Sequence, residues 1–241
     1  HRSGLSLGAG DLLWWPTSTL TSDDIIDRLR FIRPATSFRS GYAYDNLLYI
    51  VAAKIIERKT GMSWGQATRA RILAPLGMQA STTSLLENAG NANVAAAHSV
   101  VGDQVAPVKQ FPVPNGAGAV GINSNAEDMA RWMIALLDGG KMGERQLYSS
   151  AQARELWTAQ TPMPIVEPPT PLAATRPNFL AYGLGFQLRD YKGMKLVQHG
   201  GALLGAYSRV VMVPQARLGV AILTNAENNG VLTALQWRVL D

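Results

Sequence analysis

The sequence predicts an α+β fold, with an antiparallel sheet built largely by residues 180–225 and a mostly helical lobe over about residues 10–160. Two patterns carry that expectation. In the last third, residues 182–188, 194–198, 207–213 and 219–224 are short β-rich runs separated by Gly, Asp, Asn or Pro turns. Connections this short join antiparallel neighbours, because a parallel crossover needs about a dozen residues or more. The earlier part instead repeats its apolar residues at helical spacing. With 241 residues, 47% of them hydrophobic, there is enough apolar surface for one sizeable domain of two packed lobes, the second covering about 180–241.

Taken in order, Thr21-Ser22-Asp23-Asp24 offers helix caps just before Ile25, Ile26, Leu29 and Ile32, and Pro34 stops that helix. Over residues 47–59, Leu47, Leu48, Ile50, Val51, Ile55 and Ile56 recur at helical spacing. Gly61 stands where a left-handed C-terminal residue belongs. A further helix is expected over 64–73, ended by Pro75 and Gly77. Residues 85–120 read as irregular chain with one short hairpin near 100–108. Ser124-Asn125-Ala126-Glu127 has the capping-box spacing, which starts a helix that runs through Leu137 and stops at Gly139-Gly140. Another helix covers 150–157, and the proline-rich stretch 162–171 is barred from a central strand. Residues 231–240 begin a closing helix.

The net charge of +5 is scattered rather than concentrated, and no basic run is interleaved with aromatics, which argues against a nucleic-acid partner. No apolar run approaches the ~18 residues of a membrane span. Zero cysteines exclude disulfides, thiolate zinc sites and a cysteine nucleophile. His1, His98 and His199 lack metal-ligand spacing, so neither a metal nor another cofactor is expected. Gly116-Ala117-Gly118-Ala119-Val120-Gly121 matches a dinucleotide fingerprint only superficially, since it does not open a βαβ unit. It reads as a glycine-rich loop leading to the capped helix. Trp14-Trp15 reads as packing.

Two short segments hold the candidate chemistry. Tyr44-Asp45-Asn46 heads the long helix, where a tyrosine can reach a cleft and an asparagine can donate to a substrate carbonyl while accepting elsewhere. His199-Gly200-Gly201 follows a strand. Taken alone, the first is a common helix cap and the second an ordinary turn. Their order within a longer series changes that: Tyr44-Asp45-Asn46, Leu73-Ala74-Pro75-Leu76-Gly77-Met78, Gly118 to Asp128, Tyr182-Gly183-Leu184-Gly185, His199-Gly200-Gly201 and Val220 to Asn225. The series resembles the serine β-lactamase and penicillin-binding-protein superfamily, in its class C and esterase-like branch, and the resemblance runs along almost the whole chain.

That resemblance implies a β-lactamase/transpeptidase-like fold and an acyl-serine mechanism. A serine of a Ser-x-x-Lys element attacks an ester or amide carbonyl, with its proton passing to the lysine and Tyr44, where a nearby ammonium favours the phenolate. Asn46 holds the acyl side chain or the lysine. His199, Gly200 and Gly201 line the strand beside the cleft. The oxyanion is met by the serine amide and by the amide of Ala202. Tyr44 and Asn46 form one lip of the cleft and His199 to Ala202 the other. No Ser-x-x-Lys is present, however: three residues before Lys54, Lys59, Lys109, Lys141, Lys192 and Lys195 stand Val51, Ile56, Ala106, Asp138, Arg189 and Lys192. Since His1-Arg2-Ser3-Gly4-Leu5 looks like the family's His-Thr-Ser-Gly-Leu segment downstream of the nucleophile, the expectation is an N-terminally truncated serine hydrolase, inactive as it stands.

His199 departs from the family's Lys-Thr-Gly lysine. A histidine with a pKa near 6.5 is mostly neutral at pH 7 and attracts a substrate carboxylate less. Esters, uncharged amides or peptide-like small molecules are therefore the expected substrates, ahead of a β-lactamase or D-stereospecific peptidase activity. The competing expectation is a non-catalytic binding protein on the same fold. By resemblance alone, the location is periplasmic or secreted.

Overall fold

The computed structural model describes residues 1–241, which form two compact units: residues 1–94 with 110–125, and residues 95–109 with 126–241. The first unit is helical, with α1 (Ser22–Arg28), α2 (Leu47–Thr60), α3 (Trp64–Thr68) and α4 (Ala117–Val120). Helix α1 begins where its caps predict. Thr21 Oγ1 accepts from the Asp24 amide at 3.1 Å, while Asp24 Oδ2 accepts from the Thr21 amide at 2.9 Å. Helix α2 ends at Gly61 with φ 69°, the left-handed stop a glycine permits. Helix α3 starts from a Ser63–Gln66 capping box and widens into a π-helical turn over Arg69–Leu73 before Pro75. Trp14, Ile25, Leu47 and Ile50 form the core of this unit, and full burial of a side chain like Leu47 contributes about 1.5–3 kcal/mol.

The glycine-rich segment is a packing device. Gly116 closes a 3₁₀ turn over Pro114–Gly116 and α4 follows at once, so the segment is less of a loop than its composition suggests. A Cβ on Gly116 would lie 2.9 Å from Trp14 Cε3. On Gly118 it would lie 2.5 Å from the Tyr49 carbonyl oxygen and 2.6 Å from Ala53 Cβ. On Gly121 it would lie 2.7 Å from the Thr83 carbonyl oxygen. The three glycines let α4 press against α2 and the neighbouring turns.

The second unit is built on a six-stranded antiparallel sheet, with β1 (His98–Val101) and β2 (Gln104–Pro107) as a separate hairpin and β3 (Lys141–Met142) with β4 (Arg145–Gln146) as another. The sheet runs in the order β10-β9-β8-β7-β6-β5, with β5 (Thr161–Pro162), β6 (Leu180–Tyr182), β7 (Gln187–Tyr191), β8 (Met194–Leu203), β9 (Ala206–Val213) and β10 (Leu218–Thr224). Proline at the outermost strand needs no ladder donor, which suits the edge. Helix α5 (Ala126–Leu137) packs Met133 and Leu136 against Leu188, Val197, Val210 and Met212. Helix α7 (Asn229–Leu240) packs Trp237 against Tyr191, Leu196, Val211 and Val213. These are alternate residues of the same strands, as a sheet covered on both faces requires. Helix α6 (Ser150–Leu156) is capped by Ser149. No helix is long and apolar enough to cross a membrane.

Four expectations need correction. The helical and sheet lobes do not divide near residue 160: residues 126–160 group with the sheet, because α5 lays its apolar face on it and Met133 Sδ sits 3.2 Å from where a Gly219 Cβ would be. The run 182–188 is not one strand, since Gly183 and Gly185 turn the chain between β6 and β7, closed by Gly183 N–H donating to Phe186 O at 2.8 Å. Helix α5 forms without the expected side-chain box. Ser124 Oγ pairs with Ser81 Oγ at 2.7 Å, and Glu127 accepts from Arg131 at 2.6 Å. Finally, the strand expected over 194–198 runs on to Leu203, so His199-Gly200-Gly201 lie inside β8, on a strand as the resemblance implied.

Candidate active site

The first group of candidate residues stands at the head of α2. Asp45 is fully buried, and its Oδ1 accepts from the Leu47 amide at 2.9 Å, so the cap role belongs to Asp45 rather than to its neighbours. Tyr44 precedes the helix in partly buried chain, fixed by its carbonyl accepting from Gly8 N–H at 2.8 Å. Its ring lies against the His1 ring, centroids 4.0 Å apart, and His1 Nδ1 accepts from the Asp45 amide at 3.1 Å. Burial pushes the Tyr44 hydroxyl above the ordinary phenol range, and the neighbouring Tyr49 and Asp11 push it the same way.

Asn46 is positioned by a residue that sequence reading missed. Its Nδ2 donates to Asp11 Oδ2 at 3.1 Å and to Asp11 Oδ1 at 3.3 Å. Asp11 opens a 3₁₀ turn over Asp11–Leu13 and is itself held by Trp14 Nε1, which donates to Oδ1 at 3.0 Å. The separation of 35 positions between Asp11 and Asn46 leaves no local signal of the pairing.

The second group belongs to the sheet unit. His199 sits on β8 opposite Val210 of β9, followed by the pairs Gly200↔Arg209, Gly201↔Ser208 and Ala202↔Tyr207. Pairing of β8 with β7 ends at Gln187↔Gln198, whereas pairing with β9 runs on to Leu203↔Ala206. Residues 199–203 therefore join the ladder on the β9 side alone, and Gly200, Gly201 and Ala202 are exposed. His199 Nδ1 lies 2.6 Å from the Gly200 carbonyl oxygen, and Nε2 lies 2.8 Å from the Tyr182 hydroxyl. A carbonyl only accepts, so Nδ1 carries the proton, and in the neutral ring Nε2 accepts from Tyr182. Burial holds the His199 pKa below its ordinary value, partly offset by the bond to Gly200. Tyr182, 3% exposed, is the second positioning residue missed in the sequence, where it registered only as part of the Tyr-Gly-Leu-Gly motif.

Tyr44 and Asn46 thus lie in one compact unit and His199 to Ala202 in the other. His, Asp and Glu side chains nowhere gather in a group that could hold a metal ion. Chemically, the first unit offers a phenol, an oriented amide and a carboxylate. The second offers a neutral imidazole and an exposed strand edge with two glycines.

The chain is 32% identical over 254 residues to an unguisins hydrolase from Aspergillus campestris, covering 100% of this chain and 44% of that protein. It is 30% identical over 197 residues to penicillin-binding protein 4 of Amycolatopsis lactamdurans, covering 80% of this chain and 48% of that protein. The chain therefore spans less than half the length of these curated relatives. Among solved structures, the penicillin-binding protein from Bacillus halodurans superposes with TM-score 0.75 at 17% identity, over 100% of this chain and 70% of that one. The octameric penicillin-binding protein homologue from Pyrococcus abyssi gives 0.73 at 22% identity, over 94% and 50%. These likenesses share the mixed fold of helices and antiparallel sheet found here. The Beta-lactamase family profile matches residues 1–241, and the chain belongs to that family.

Proposed function

We propose that this chain carries the Tyr-x-Asn and His-Gly-Gly parts of a serine hydrolase that cleaves amide or ester bonds through an acyl-serine intermediate, with the Ser-x-x-Lys nucleophile supplied by sequence outside these residues. The observation that carries the reading is Asn46 held by Asp11 two residues after a partly buried Tyr44, within a family whose relatives here are hydrolases. In this reading Tyr44 relays the serine proton, and an adjacent ammonium offsets the burial that raises its pKa. Ala202 N–H and the serine amide receive the oxyanion, and the loss of one such donor costs about 10²–10³ in rate. His199, neutral and bonded to Tyr182, orders the strand rather than supplying a cation. That favours substrates without a carboxylate beside the scissile bond. Relatives named D-aminopeptidase and unguisins hydrolase favour amides over esters.

The test uses the full-length protein, a fluorophosphonate probe for the serine, and p-nitroanilide and p-nitrophenyl ester substrates. Tyr44→Phe is expected to lower kcat by about 10²–10⁴-fold. Unchanged turnover in that variant, or no labelling of the wild type, returns the chain to a non-catalytic binding role.

A further inference from the structure

Asp11 has no assigned task, yet its carboxylate organises the amide of a candidate catalytic residue. An ionised carboxylate only accepts hydrogen bonds, so the Asn46 group facing Asp11 is the NH₂, at 3.1 and 3.3 Å. The opposite edge of the amide is therefore Oδ1, which takes no hydrogen bond from the chain and is left as an acceptor. Asp11 cannot swing away, because Trp14 Nε1, on a side chain only 4% exposed, donates to its Oδ1 at 3.0 Å. Gly8 lies beside this carboxylate, since a Cβ there would stand 3.3 Å from Asp11 Oδ2, and the same Gly8 donates its N–H to the Tyr44 carbonyl. Asp11 thus connects three points, the Trp14 core, the chain that fixes Tyr44, and the Asn46 amide.

We propose that Asp11 is a positioning residue, whose carboxylate sets the polarity of the Asn46 amide so that Oδ1, and not Nδ2, is turned towards the reacting groups. This rests on the acyl-serine reading above. What meets Asn46 must then donate a proton, as an ammonium or an amide N–H does, and an amide turned the wrong way would present a second donor to it.

Asp11→Asn tests this with almost no change of shape. Trp14 Nε1 still requires an acceptor, so the new amide keeps its oxygen on Trp14 and turns its NH₂ towards Asn46. An unflipped Asn46 would then set its NH₂ against the new NH₂ at 3.1 Å and keep only the 3.3 Å contact to Oδ1, which favours a flip that exchanges Oδ1 for Nδ2 on the outward edge. In the full-length protein, kcat is expected to fall at least 10-fold while the melting temperature stays within a few degrees, since a misplacement of this kind costs about 10²-fold. Asp11→Ser, too short to reach Asn46, should lower kcat less than Asp11→Asn, because it frees the amide without inverting it. A purely structural role would give the reverse order. In ¹⁵N-asparagine spectra the Asn46 NH₂ pair should shift in both variants. Wild-type kcat in Asp11→Asn, or an unmoved Asn46 resonance, overturns the proposal. If the wild type shows no turnover, the acyl-serine reading fails, and the Asn46 resonance alone decides whether Asp11 sets the amide.

Discussion

Gly118→Ala is the substitution whose cost follows most directly from the geometry. The added methyl would lie 2.5 Å from the Tyr49 carbonyl oxygen and 2.6 Å from Ala53 Cβ, against the ~3.5 Å at which carbon atoms rest comfortably. Both obstacles belong to α2, so neither can rotate out of the way, and α4 must retreat by about 1 Å along its whole contact. Overpacking of this kind costs about 1–3 kcal/mol, while alanine in place of helical glycine returns at most about 1 kcal/mol. A net loss of about 1–2 kcal/mol is expected, which corresponds to a melting temperature lower by roughly 2–8 °C for a domain of this size. Thermal and urea unfolding would measure it, with Gly41→Ala as control, since nothing lies within 4 Å of that Cβ position. Adding Ala53→Gly should recover only part of the loss, because the Tyr49 carbonyl remains. If Gly118→Ala stays within 0.5 kcal/mol of wild type, where ordinary surface changes fall, the close-packing account of the glycine segment is wrong.

Burial depresses the His199 pKa, so at low pH the unfolded chain takes up a proton that the folded chain resists. Stability is therefore unaffected above the ordinary histidine value near 6.5 and declines as the pH falls below it towards the lowered folded pKa. His199→Gln should flatten that decline, and parallel urea-unfolding profiles for the two proteins would contradict it. Leu196 is fully buried under α7, and Leu196→Ala is expected to cost about 2–5 kcal/mol in the same assay. A cost below 1 kcal/mol would mean that the face under α7 is not a packed core.

Features whose partners are near in sequence were legible. The Thr21–Asp24 box and the Gly61 stop could be read because a cap is satisfied within one helical turn. The β-rich runs after residue 180 likewise named most of the sheet, since alternation is a local property. Reading failed where a distant group outcompeted the local one. Ser124 had the spacing for a capping box, but Ser81, 43 residues away, took its hydroxyl. The same limit applies to the candidate site. Tyr44, Asn46 and His199 are candidates because of their order in a series that resembles the family's motifs, which says nothing of how their side chains are oriented. The Asn46 amide is set by Asp11 and the His199 tautomer by Gly200 and Tyr182. For Asn46 the orientation rests on a tertiary partner 35 residues away, and for His199 on the adjacent Gly200 carbonyl together with Tyr182, 17 residues away.

Gly200 and Gly201 show how one motif can hide two different requirements. A Cβ on Gly201 would meet Ser208 Oγ at 2.6 Å, so glycine there is explained by the strand pairing itself. On Gly200 the nearest atom would be the Ser208 carbonyl oxygen at 3.5 Å, an ordinary contact, and its φ lies outside the left-handed region. Packing therefore does not demand glycine at 200, and what remains is access to the exposed edge of β8. Gly200→Ala should leave unfolding within about 0.5 kcal/mol of wild type yet, on the acyl-serine proposal, raise KM in the full-length protein. Gly201→Ala should be the milder for substrate and the costlier for folding, because Ser208 must give up its rotamer, and Ser208→Ala should relieve that cost. If Gly200→Ala destabilises the fold while leaving KM unchanged, then both glycines serve the sheet alone, and the edge of β8 is not where substrate lies.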